Sequence, residues 1–599
     1  MKTTYSIMAL GAALLGLDCR GYVAAPAPGA STGAGNGSAG SGGSTSPTSP
    51  GQPGPTDPTA MSSVALPPAP TSIPTANACQ TGAPGPRRMR RLSATEFAAS
   101  IRSIFADQTA PVATVFSDPT ALGFSVDANA LLVQGLNASQ LMDNAEAIAS
   151  WAVTSGKLSA FASCTTVDAT CARQFVEGFG RRAFRATLVD SDPRVAPYVQ
   201  LFTAESSFAD GAQAVISAML QSPYFLYRSE LGTAAGADFA LTPFEVAGSL
   251  AYLLTGDMPD DPLLDAADAV ASGSVQLPAM VDAQATRLLT PGSPTHDTAI
   301  VGFMTGWLGL DRLYTTAKDD SVYMLTDALR DEMATETRSL ILEAFDQGGS
   351  AATQSAGGFA SLLTSDHSFL NQDLATFYGL DATGLTSAFV RVPYTSATHR
   401  DGGLLAQATI LNGYARPDAS SPTQRGHLVR SRILCQAVPP PPANVDTTLK
   451  PIASAQTTRQ RIEAEHSLGA CDACHKLMDP IGFGFEHYDG FGRYRDSENG
   501  VAIDATGTVV NANAAGASAT FDGLGGAGGL AAYLSTDPDV NQCLVRYWSY
   551  DAFGSASWDQ DGCTYDAISQ EAAGQGFSLR GVLMAILHAP SFTRRVQDH

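Results

Sequence analysis

Within CDACHKLMDPIGFGFEHYDGFGRYRD, residues 471–496, two cysteines stand three apart and a histidine follows the second directly. Two thiols one helical turn apart match the two vinyl groups of a haem, and the adjacent His475 is thereby delivered to the iron. With nine cysteines and nine histidines in 599 residues, this pattern is expected by chance only ~0.002 times per chain. Covalent haem c on Cys471 and Cys474, with His475 as proximal iron ligand, is therefore the first reading. Two alternatives use the same residues: a redox or structural disulfide within the pair, and a zinc site completed by His475 and a fourth ligand such as Cys435. A zinc site of this kind usually brings a second paired ligand motif, and the sequence shows none.

A sixth iron ligand has several candidates. Met478 lies three residues after His475, and three residues span at most about 11 Å, too little to pass around a porphyrin edge, so it is expected to pack nearby instead. His487, beyond the Pro480-Ile481-Gly482 turn, is far enough along the chain to reach, as are Met304, Met333 and Met584; five-coordinate iron is the remaining option. Arg493 and Arg495 suit haem propionates by charge and suit a solvated surface equally.

The elements that must hold these residues read mainly as helices. Ser93-Ala94-Thr95-Glu96 has capping-box spacing and Phe97, Ile101 and Ile104 follow at helical intervals, which predicts a helix over about 94–105. CARQFVEGFGRRAFRATL, from Cys171, is helical in rhythm, and QSPYFLYRSELG at 221–232 reads as a helix end leading into a loop. Thr242 with Pro243 at the first helical position predicts another start. The clearest helix spans about 326–345, with Leu329, Met333, Leu340, Ile341 and Phe345 on one face; Asp331, Glu332, Glu336 and Glu343 fall largely outside it and are expected to be solvated. Alternating patterns are confined to 389–394 and 501–512. The fold class is mainly all-α and multi-domain, with small β elements and a disordered N-terminal linker.

Composition narrows the setting. The 35 Lys and Arg against 57 Asp and Glu leave a formal charge of -22, which repels nucleic acid and anionic lipid. Met1-Lys2 and the apolar stretch Tyr5–Leu17 resemble an export signal, followed at Cys19 by a position suited to lipid attachment, although Gly16-Leu17-Asp18 is a poor lipobox. No later stretch reaches the ~18 to 20 apolar residues of a membrane span, so any membrane attachment is expected through Cys19. The expected location is outside the cytoplasm: periplasmic, outer-membrane-anchored or extracellular. With Cys19 and the 471/474 pair set aside, six cysteines remain for disulfides. Proximity favours Cys164–Cys171 and Cys543–Cys563. Residues 26–76 are Gly, Ser, Pro, Thr and Ala with almost no bulky side chain, the composition of a flexible tether. The Pro439–Pro442 run and the Gly/Ala-rich stretch near 511–528 mark internal breaks.

LMDPIGFGFEHYDGFGRYR after Cys-x-x-Cys-His resembles the block of planctomycete-type cytochrome c proteins, strings of consecutive domains of unknown function. RRLSATEFAASIRSIF, CARQFVEGFGRRAF, LTPFEVAGSLAYLLTGDMPDDPLLDAA, SSPTQRGHLVRSRILCQAVPPPP and SLRGVLMAILHAPSFTRR agree with the family in order, so the likeness runs from about residue 87 to the end. It implies haem on Cys471, Cys474 and His475. Larger relatives carry a further N-terminal cytochrome domain; here that place holds the linker and Cys79. The expected segments are a signal over 1–25, a linker over 26–86, helical domains over 87–165, 166–235 and 236–385, a cytochrome c-like domain over 386–500 and a C-terminal helical domain over 520–599. The function expected is electron transfer or an undefined redox reaction at the cell envelope, with a redox protein or small molecule as partner. The alternative is a surface-tethered binding or scaffold protein with a structural cysteine cluster.

Overall fold

The computed structural model describes residues 82–112, 117–348, 357–395, 397–438, 455–467, 471–510, 518–521, 526–554 and 562–597. The signal, Cys19, Cys79, most of the tether and the proline run lie outside them. The described residues belong to one compact unit. It is mainly helical, with small sheets.

Local signals set the helix starts. The Ser93 hydroxyl accepts from the Glu96 N–H while the Glu96 carboxylate accepts from the Ser93 N–H, opening the helix Ala94–Phe105. Thr242 and Glu245 do the same for Pro243–Thr255, Asp168 caps Ala169–Ala183, and Thr326 caps Asp327–Gln347. The helices Ala94–Phe105 and Ala169–Ala183, with others up to Leu226, enclose an aromatic core around Phe97, Phe105, Phe161, Phe175, Phe179, Phe202 and Phe225. A second apolar cluster takes in Leu250, Trp307, Ile341, Leu411, Ile481, Phe485, Leu544 and Leu583, so the segments 236–385, 386–500 and 520–599 share one interior.

Several sequence expectations need correction. Glu336 is not solvated: it is 0% exposed and accepts hydrogen bonds from Ser368 Oγ at 2.6 Å and Tyr378 OH at 2.5 Å. Burial pushes its carboxyl up to about 7, against those two hydrogen bonds. The helix passes between the strand His367–Leu370 and the 404–413 region, which covers the face that sequence periodicity assigns to water. Gly85–Pro86, composition-wise part of the tether, pairs in parallel with Arg595–Val596 in a four-stranded sheet with Asp238–Ala240 and Thr233–Ala235; available ladder partners override a Gly/Pro composition. Tyr227–Glu230 is a strand against Arg88–Arg91, not a loop. Cys164–Cys171 forms as expected, but Cys543 joins Cys435, 108 residues away. Cys543 sits on the buried face of Pro538–Phe553, next to the end of the Leu428–Ile433 turn, while Cys563 is disulfide-bonded elsewhere. Of the alternating patterns, Val390–Pro393 pairs with His367–Leu370, and 501–512 splits into Val501–Ala502 and Gly507–Val509, the latter paired with Ala519–Phe521.

At Glu230 the strand Arg88–Arg91 and the last described strand of the chain meet. Arg88, Arg90 and Arg595 reach its carboxylate at 3.2, 3.3 and 2.7 Å. Burial alone would raise Glu230, but the guanidinium groups, Arg595 foremost, overcome it and hold the carboxyl well below its usual range.

Candidate functional site

The Cys471–His475 motif opens the helix Asp472–Gly482, with Cys471 at its N-cap. That helix is pressed against Pro422–His427 with glycine at both points of contact. A Cβ on Gly426 would lie 1.9 Å from the Met478 carbonyl oxygen, and one on Gly482 would lie 1.8 Å from that of Pro422. Only hydrogen fits at either position, so the backbones touch and the motif's helix is fixed in place. Met478 is buried, in keeping with a packing role.

Cys471 and Cys474 are half-buried thiols outside any disulfide. One turn past His475 on the same helix stands Asp479, 4% exposed. Its Oδ2 receives His466 Nδ1 at 2.7 Å and His475 Nδ1 at 3.1 Å, and its Oδ1 accepts from Thr423 Oγ1 at 2.6 Å. The two imidazole rings lie 3.6 Å apart, tilted by 38°. Burial would raise the Asp479 carboxyl, but the hydrogen bonds from His466, His475 and Thr423 outweigh it and keep the group below its ordinary value. With Nδ1–H of His475 given to the carboxylate, its Nε2 carries the lone pair a metal would take. Ligand atoms of His466, His475 and Asp479 all fall within 4.8 Å of one another.

The segment after this helix, 485–492, is held by its main chain. Arg425, 0% exposed, donates to the carbonyls of Phe485, Tyr488, Asp489 and Leu411 at 2.7 to 3.1 Å. Lys318 Nζ donates to those of Gly490, Asn412 and Arg416, and buried Arg400 to those of Gly492 and Ala406. Buried carbonyls need partners, and here three cations from three elements supply them.

The other sequence candidates fall as follows. His487 gives Nδ1 to the Arg495 carbonyl at 2.9 Å and stacks on Tyr494, which also stacks on His399; it is not in the His466–His475–Asp479 group. Arg493 pairs with Asp489 and covers Tyr323. Arg495 pairs with Glu486 and Glu498. Met304 and Met333 are fully buried in two different apolar cores, and Met584 is packed against the first of them. Cys435, the suggested fourth zinc ligand, is committed to Cys543. Asp479, His466 and Thr423 were not anticipated. The i, i+4 spacing of His475 and Asp479 was the available signal; His466 and Thr423 arrive by tertiary contact alone.

The donor set fits a covalently held haem: two cysteines outside any disulfide at the start of a pinned helix, and an imidazole oriented through Nδ1. Among family models, PSD3, a protein of unknown function (DUF1587), matches residues 90–154. PSD5 (DUF1595) matches 171–230 and PSD4 (DUF1592) 241–380, both also described as proteins of unknown function. PSCyt3, a protein of unknown function (DUF1588), matches 401–498 and so contains the whole cysteine motif. No curated protein matches the chain, and no solved structure does.

Proposed function

The chain belongs to the planctomycete-type cytochrome c family, and from that premise we propose that it is an exported monohaem c-type cytochrome that exchanges single electrons with a protein or small-molecule partner at the cell envelope. The observation that carries this reading is the pair Cys471 and Cys474, outside any disulfide, next to a histidine whose Nδ1 is already taken by a buried carboxylate. Each thiol would add across one vinyl group, and His475 would ligate through Nε2. Bound haem supplies one-electron chemistry, and one motif carries one electron at a time. Arg493, with 36% of its side chain exposed, would meet a propionate through the part of its guanidinium that Asp489 does not engage; Arg495 is committed to Glu486 and Glu498. His487 remains a candidate second axial ligand through Nε2, since its Nδ1 is occupied. No helix among the described residues is long and apolar enough to cross a membrane, and attachment through Cys19 is the route we propose for membrane association.

Expression from residue 76 onward in a periplasm with haem-maturation machinery, followed by a reduced pyridine haemochrome spectrum of denatured, washed protein, tests this. The expected result is a covalent haem c band of about one equivalent, lost in Cys471→Ala/Cys474→Ala. A folded colourless product beside a maturing control cytochrome refutes it. The convergence of His466, His475 and Asp479 favours one second reading, a colourless scaffold protein holding a divalent metal there. Stoichiometric zinc in that product, lost in His466→Ala, would support it.

A further inference from the structure

A histidine that binds a metal through one ring nitrogen is tuned by whatever accepts the proton of the other. A backbone carbonyl is a neutral acceptor. In this chain the acceptor for His475 Nδ1 is the Asp479 carboxylate, buried and therefore little screened by water. Its position is over-determined: Thr423 Oγ1 holds Oδ1, His466 Nδ1 holds Oδ2, and the glycine contacts at Gly426 and Gly482 fix the helix that carries it.

We propose that Asp479 is a positioning residue that sets the electron affinity of the site, making His475 a more electron-rich ligand and favouring ferric over ferrous iron. The inference rests on the haem reading. Two physical contributions act in the same direction. The hydrogen bond shifts charge onto the imidazole and raises its basicity, and the buried negative charge itself disfavours the electron that reduction would add. His466 and Thr423 work against this effect while they anchor the group, because each draws on the charge of the same carboxylate. They therefore moderate what Asp479 does. This arrangement gives opposite signs to neighbouring substitutions, which a purely structural role would not.

The test is a potentiometric titration of the visible haem spectrum on the full mature protein, after haem content has been measured for each variant. Asp479→Asn keeps an acceptor and removes the charge; the ferrous-to-ferric ratio at a fixed applied potential is expected to rise at least tenfold, a positive shift of about 59 mV or more. His466→Phe and Thr423→Val are expected to shift it the other way by a smaller factor. Asp479→Asn/His466→Phe should follow Asp479→Asn, since phenylalanine keeps a ring against His475 and what it removes is the hydrogen bond to the carboxylate. If Asp479→Asn does not fold, the sign of the shift in His466→Phe and Thr423→Val still decides. Haem-loaded variants with unchanged potentials, or with shifts all of one sign, overturn this inference and leave the cytochrome reading intact. A wild-type protein without haem overturns both.

Discussion

Around Phe175 the chain is immobilised by side chains: its ring meets those of Phe161, Phe179, Phe202 and Phe208 at centroid distances of 5.8 to 6.2 Å. In 485–492 the chain is immobilised by its own carbonyls, gripped by Arg425, Lys318 and Arg400. Aromatic packing holds the chain through buried apolar area and fills volume with rings. Cation-to-carbonyl bonding is directional and needs almost no side-chain volume from the segment it holds, so a run as glycine-rich as Tyr488-Asp489-Gly490-Phe491-Gly492 can be rigid beside a reactive motif. The scaffold and the surroundings of the site are thus built from different forces, and they should fail differently.

The largest effect is expected from Arg425→Met, which keeps bulk and removes four charge-assisted hydrogen bonds to carbonyls, two of which, Phe485 and Asp489, keep a backbone N–H. At about 1.5–3 kcal/mol for each bond to a charged donor, the loss is on the order of 5 kcal/mol once water entry offsets part of it. Urea unfolding should show it, and limited proteolysis should find new cleavage within 485–492. Phe175→Ala removes a fully buried ring and should cost about 3–5 kcal/mol, with haem attachment per folded molecule unchanged. A greater stability loss from Phe175→Ala than from Arg425→Met would break the comparison.

The smallest of the three sharpens it by asking what a buried charge does where its direct partners are hydroxyls. Glu336 has its carboxyl raised to about 7 from 4.5. Between those values the native state binds the proton that the unfolded chain has released, so its contribution is present below about 4.5 and is lost as pH rises through 7. Glu336→Gln should flatten that slope and be the more stable protein above pH 7, by on the order of 2 kcal/mol. Thermal melts of both proteins across pH 4.5–8 measure it. An unchanged slope would mean that Glu336 is ionised throughout, with Arg400 acting as its counter-charge.

What could be read from the sequence was local. Ser93 with Glu96, Thr242 with Pro243, and Thr326 each mark helix starts within a few residues of the groups they satisfy. The cysteine motif is legible for the same reason, since Cys471, Cys474 and His475 lie within little more than one turn at the start of one helix. Long-range geometry was not legible. Nothing near Cys543 announces Cys435, and nothing about the periodicity of the 327–347 helix shows that Ser368 and Tyr378 will cover Glu336. The carboxylate behind His475 lay between these cases: its spacing was visible, but its burial and its two further donors depend on helices brought together in the folded chain.

Gly85–Pro86 finds its strand partner in Arg595–Val596, and Arg87 donates to Gln597, 510 residues further on. The strand Gly85–Pro86 therefore has no ladder partner until Arg595–Val596 is available to pair with it. A product stopped short of Arg595 keeps that edge open and leaves Glu230 with one guanidinium fewer. The small sheet thus ties two sequence-distant strands into one cooperative unit, and loss of either strand would expose the unpaired edge of the other.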